Sequence, residues 1–393
     1  MKSNPPSFRH RLSMLLAGAL LSALSLPASV LAQQADPGGG IGGTGITGFG
    51  VVQKFGSIFV NGREFFFDKT THVSREGVAT GQEMLRLGDV VLVQGDTGKN
   101  PGAGTLAQVD VRIALQGRVQ DINEARGTFR LLGQTVQVGS GTRGDSGTTP
   151  FLLSQMRMGE MLAVSGLMRA DSTWMATRIA PVPAATANEF IVRGSVDVVD
   201  REKGAVTLGK QSFVIEPKGI NADIEHGAVV RIAGVYDHER VVVTSIQHES
   251  QLTLDAGQLV EMSGYVQTLS KAGEIKANGV SLHYSPSTTV VNGHIGDLQA
   301  NTPVAVRGEV NADGSIVVHE MVINVDPSEV VLPEREGLTR PLGRSEQHAG
   351  PEKERPEAER PGTDRLEVEK PEIEKPQIEI PEVERPELPT IEQ

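Results

Sequence analysis

Gly50-Val51-Val52-Gln53-Lys54-Phe55-Gly56-Ser57-Ile58-Phe59-Val60-Asn61-Gly62-Arg63-Glu64-Phe65-Phe66-Phe67 is the stretch on which the fold turns. Apolar residues alternate through it with the period of a half-buried strand. Asn61-Gly62 is the pair a type I′ hairpin needs, because both central residues take positive φ. A two-residue loop there sets Ile58 opposite Phe65 on one face. The same writing recurs from Gly117, Gly194 and Gly264, with Gly127, Gly204 and Gly273 standing where Gly56 stands. It predicts the equivalent pairs Phe129 with Val136, Val206 with Phe213 and Ile275 with Leu282. Asn278-Gly279 suits a type I′ turn and Gly209-Lys210 a type II′ turn. Leu132-Gly133 is the weak case, since leucine disfavours positive φ.

A second recurring segment follows each hairpin. Gly88-Asp89-Val90-Val91-Leu92-Val93-Gln94-Gly95 has counterparts at 159–166, 227–234 and 301–308, the last with Asn301 in place of the first glycine. Short apolar segments precede it at 84–87, 152–156, 220–224 and 295–298. They read as single helical turns stopped by the Gly or Asn in a left-handed cap. A closing strand completes each unit at 106–113, 174–179, 241–246 and 316–323. Five short strands with one helical turn, in about 70 residues, match a small closed barrel of the OB type. A seven-stranded sandwich wants about 100 residues and ranks second. The expectation is therefore all-β: four tandem five-stranded OB-like barrels at 48–114, 115–183, 190–250 and 261–325.

The ends are different. Residues 1–32 have the form of a secretory signal, with Lys2, Arg9 and Arg11 ahead of the apolar run Leu12 to Leu26 and small residues before Gln33. Residues 33–47 are a glycine-rich linker. From 326 to 393 the composition turns to proline and glutamate, with prolines five apart at Pro371, Pro376, Pro381 and Pro386. Proline at that density opposes helix and sheet, so an extended, disordered acidic tail is expected. About 43 residues at roughly 3.1 Å each would reach on the order of 130 Å.

The repeats, the lead-in Gly39-Gly40-Ile41-Gly42-Gly43-Thr44-Gly45-Ile46 and the stretch Phe55 to Gly62 resemble the bacterial exported family known as domain of unknown function 5666. The resemblance is closest over residues 41 to 115 and looser beyond. It implies a secreted bacterial protein of tandem small β domains, and it brings no catalytic residues with it.

The chain has 49 acidic and 37 basic residues, a net charge of −12, and no cysteine. The acidity disfavours nucleic acid, whose phosphates need clustered Lys and Arg. One Trp and three Tyr are few for base stacking or for glycan platforms. Lack of cysteine removes disulfides, thiol catalysis and cysteine-bound metal.

Several motifs are weak. Gly144-Asp145-Ser146-Gly147 has the look of a serine-protease nucleophile segment, but Thr148 and Thr149 follow it and His72 lacks the usual context. Arg143-Gly144-Asp145 spells an adhesion tripeptide made of ordinary loop residues. The glycine lead-in lacks the Lys-Ser/Thr of a phosphate loop. The histidines are scattered; an approach of His238 and His248 across strands four and five is the one weak zinc reading. No metal and no cofactor is read. In the first hairpin, Phe59 and Phe66 point outward on diagonal positions, where the other units carry Arg130 and Gln137, Thr207 and Val214, and Lys276 and His283. Exposed aromatics mark contact surfaces. The expectation is an exported, non-enzymatic binding or scaffolding protein of the bacterial envelope, periplasmic or extracellular. It has no membrane span after signal cleavage, and its partner is an envelope protein or polymer. The alternative is an unrecognised envelope hydrolase.

Overall fold

The computed structural model describes residues 45–97, 102–145, 151–215, 224–249, 254–270 and 273–333. The signal segment, Ser146 and the chain beyond 333 lie outside the described residues. Within them the protein is all-β, with no α-helix and only single 3-10 turns. Among the described residues no helix is long and apolar enough to cross a membrane.

In the first unit, β1 (Gly45–Val51), β2 (Ile58–Val60), β3 (Arg63–Phe66), β6 (Val90–Asp96) and β7 (Ala103–Arg112) close into a barrel, with the short β4 (His72–Arg75) and β5 (Val78–Ala79) in the loop after β3. β1 pairs β6 and β6 pairs β7 antiparallel, β3 pairs β7 parallel, and the bridge Val52–Val60 joins the first strand to β2. This is the OB order, in which the third and fifth strands run parallel and close the cylinder.

The second unit repeats it with β8 (Leu115–Asn123), β9 (Thr128–Leu131), β10 (Gln134–Arg143), β11 (Met161–Met168) and β12 (Trp174–Pro181). So does the fourth, with β19 (Leu259–Ser270), β20 (Glu274–Ala277), β21 (Val280–His283), β23 (Pro303–Val310) and β24 (Ile316–Ile323); β22 (Thr289–Val291) adds a short parallel pairing to β24.

All four anticipated hairpin pairs are in register: Ile58 with Phe65, Phe129 with Val136, Val206 with Phe213 and Ile275 with Leu282. Leu132 does take positive φ, at 47°, and its buried side chain packs beside Gly117. Burial of a leucine holds a backbone state that leucine alone would avoid.

Two expectations need correction. The third unit is not a closed barrel among the described residues. Its strands are β13 (Glu189–Ser195), β14 (Val198–Asp200), β15 (Ala205–Leu208), β16 (Gln211–Val214), β17 (Val229–Asp237) and β18 (Arg240–His248). β14, β15 and β16 form a sheet of their own, and the parallel pairing of β16 with β18 is missing. Side chains hold the seam instead: Val206 and Phe213 share an apolar cluster with Val241 and Val243.

The second correction concerns the left-handed residue. The 3-10 turns Gln82–Met84, Leu153–Gln155 and Ile295–Asp297 end on extended Leu85, Met156 and Leu298. The left-handed residue comes three positions later, at Gly88, Gly159 and Asn301, and at Gly227 in the third unit. Its N–H donates to the first strand, at Val52, Val119, Val266 and Val196. The residue pins that strand to the turn and does not cap the helical turn.

The final glycine of the recurring segment has its own reason. Gly95, Gly166, Gly234 and Gly308 each sit where the pairing to the last strand shifts register, a β-bulge. A Cβ there would meet the carbonyl oxygen of Thr105, Met175, Val242 or Val317 at 2.1, 2.7, 2.0 and 2.3 Å.

The units pack together, and not in chain order. β1 pairs β19 in parallel, Ile46 to Phe49 beside Leu259 to Met262, so the first barrel joins the fourth. β8 pairs β13 at Leu115 and Gln116, joining the second to the third. Val51, Val90, Leu167 and Tyr265, from the first, second and fourth barrels, meet in one apolar cluster. Residues 326–333, which composition assigns to the tail, remain packed: Val330 and Leu332 are buried, Leu332 N–H donates to Asn61 O, and Gln53 Nε2 donates to Val330 O.

Candidate functional site

Five groups of residues carry chemistry, and three of them prove to be joints between units. Glu261 on β19 is fully buried. It accepts from Arg63 Nε and Nη2 at 3.0 and 2.7 Å and from Arg307 Nε at 2.7 Å, while Arg307 Nη1 donates to Glu320 at 2.8 Å. Burial pushes the Glu261 carboxyl up, but the hydrogen bonds and charge of Arg63, then Arg307, overcome it and leave the carboxyl below its ordinary value. This network ties barrel 1 to barrel 4.

Glu76 plays the same part between barrel 1 and the third unit. It holds Arg193 bidentately at 2.9 and 2.9 Å and Arg231 at 2.8 Å, and it accepts from the Ile113 N–H. Against the upward push of burial, Arg193 above all keeps the Glu76 carboxyl low. Asp89, between barrels 1 and 2, contrasts with both: Arg75 and Arg178 stand 3.5 Å away, Oδ1 accepts no hydrogen bond, and burial raises its carboxyl.

The sequence-read contact face is on barrel 1. Phe66 keeps 47% of its surface exposed and Phe55, in the loop before β2, keeps 49%. Phe59 is half-buried, with Lys54 Nζ 5.4 Å over its ring. Ser57 Oγ donates to Glu64 Oε1 at 2.6 Å on the same hairpin. The face is apolar rings around one polar pair.

The equivalent hairpin face of barrel 4 has another setting. Glu274, Lys276, Ser281 and His283 alternate with buried Ile275, Ala277 and Leu282. They wall a cleft of about 890 Å³ between barrel 4, the Met168–Ser172 turn of barrel 2, and Ser195, Val229, His248 and Glu249 of the third unit. A cavity of about 50 Å³ lined by Phe49, Leu167 and Trp174 adjoins it. The hairpin of strands two and three is the usual ligand face of an OB barrel.

The weaker motifs separate. Asp145 pairs with Arg178 at 2.8 Å, which occupies the carboxylate of the adhesion tripeptide. His238 lies in the turn before β18 and His248 at the strand's far end, so the two do not meet. Among the described residues no group of three His, Cys, Asp or Glu is placed to hold a metal.

Closed five-stranded barrels of OB order, repeated in tandem and fused by their first strands, define the class of this protein. Residues 46–101, 116–180 and 263–320 match the family described as Domain of unknown function (DUF5666). The matched stretches fall on barrels 1, 2 and 4, and the third unit, whose seam is not closed by hydrogen bonds, lies outside them. No curated protein matches the chain.

Proposed function

We propose that this is an exported, non-enzymatic binding or scaffolding protein of the bacterial cell envelope, and that Phe59 and Phe66, with Phe55, contact its partner. The observation that carries the reading is where the buried carboxylates with shifted acidity lie. Glu76, Glu261 and Asp89 are held among arginines at joints between units. They do not converge on the open cleft as an acid–base pair would. The aromatic hairpin face supports the contact, since neighbouring polar faces in other barrels show that the position tolerates polar residues. The signal-like start supports export.

The test places a photo-crosslinking residue at Phe66 and, as control, at Gln137, the equivalent position in barrel 2. Both are expressed in the native envelope, in the full chain and in a chain ending after Pro333. Ending after Val325 would also remove the packed residues Val330 and Leu332. The reading expects one envelope component captured from position 66 in both chains and not from 137. Capture that disappears in the shortened chain assigns contact to the tail; equal capture from 137 removes the aromatic face from the account.

A further inference from the structure

The fully buried arginines among the described residues are spent. Arg63, Arg178, Arg193 and Arg307 each hold a carboxylate in a joint. Arg169, on the cleft wall formed by barrel 2, differs. Its Nε is buried without a hydrogen-bond partner, and among the described residues no carboxylate lies within ion-pair distance of it. Lys276, on the barrel 4 wall of the same cleft, likewise has no ion-pair partner among them. Of the acids that line the cleft, Glu249 is paired with Arg193 at 3.1 Å and Arg112 at 3.6 Å. Two cations from different barrels thus face one cleft, whose remaining acids are Glu274 and Asp313, the latter accepting from the Ser315 N–H and hydroxyl. The half-buried Arg169 guanidinium has no acceptor in the protein among the described residues, and a ligand in the cleft can bring one. A planar carboxylate matches the guanidinium fork.

The rest of the lining sets the remainder of the ligand. Serine hydroxyls at Ser172, Ser195 and Ser281, with the Gln267 amide, offer donors and acceptors suited to sugar hydroxyls. At about 890 Å³ the cleft is within the range of small-ligand sites. We infer that the cleft between barrels 2 and 4 and the third unit binds a carboxylated oligosaccharide, with Arg169 engaging the carboxylate and Lys276 supporting it. The site is separate from the aromatic face of barrel 1 and stands whether or not that face has a partner.

Titration calorimetry of the full chain with trigalacturonate, maltotriose and triglutamate tests it. Trigalacturonate should bind, more weakly at high salt. Maltotriose should bind at least about tenfold more weakly, and Arg169→Gln should weaken trigalacturonate by about tenfold or more, with Arg169→Lys recovering part of the loss. Lys276→Ala, at an exposed position that leaves the fold alone, should weaken it by a smaller factor, and Phe66→Ser should change nothing. Equal binding of maltotriose, indifference to both cation variants, or no binding of trigalacturonate overturns the proposal. Tighter binding of triglutamate overturns the sugar assignment in favour of an acidic peptide.

Discussion

At the scale of the residue, Glu261 and Asp89 show how distance decides what a buried carboxylate does. Arginine contacts of 2.7 Å hold Glu261 low, whereas contacts of 3.5 Å leave burial in command at Asp89. The signs for stability follow by linkage. Glu261 and Glu76 have folded values below the unfolded 4.5, so their contribution is complete above that pH and is lost as pH falls through the depressed values. Asp89 is raised above 3.8, so it acts the other way: stability declines as pH rises through the interval up to its folded value. Glu261→Gln would leave Arg63 and Arg307 buried without their shared anion. We expect it to cost about 3–5 kcal/mol at neutral pH in denaturant unfolding and to flatten the acid side of the stability profile. A cost under about 1 kcal/mol would mean that the network is hydrated and not a joint.

At the scale of the element, the hairpins were legible because their rules are local. Turn residues, register and inner face lie within a dozen positions, and Asn61-Gly62 announces its turn outright. The terminal glycines of the recurring segment were visible as a pattern, but their cause was not: the carbonyl that excludes a side chain at Gly308 belongs to the opposing strand, at Val317. Gly308→Ala should therefore lower stability by about 2–3 kcal/mol. Gly296→Ala, in the neighbouring 3-10 turn with nothing within 4 Å of a new Cβ and no positive φ, should stay within about 0.5 kcal/mol. Equal melting shifts for the two would remove the bulge explanation. The open seam of the third unit was not legible either. Its strands are written like the others, and only the missing ladder between β16 and β18 distinguishes it.

At the scale of the whole molecule, the repeat pattern says nothing about which barrels touch. Arg63 and Glu261 are 198 positions apart, and the charge of neither is part of the recurring pattern. The cleft was hidden for the same reason: Arg169, His248 and Lys276 come from three units and meet only once these have packed. A partial signal was present, since the outward positions 274, 276, 281 and 283 are all polar on a hairpin whose equivalent in barrel 1 carries phenylalanines. The proposed cleft depends on the units forming one body, and the packing of barrel 1 on barrel 4 is one joint of that body. A double-mutant cycle between Arg63→Met and Glu261→Gln, read by denaturant unfolding of the chain ending after Pro333, measures that contact. A coupling energy of about 1.5–3 kcal/mol is the expected result. Additivity within about 0.5 kcal/mol would contradict the packing of barrel 1 on barrel 4 and, with it, the assembled body.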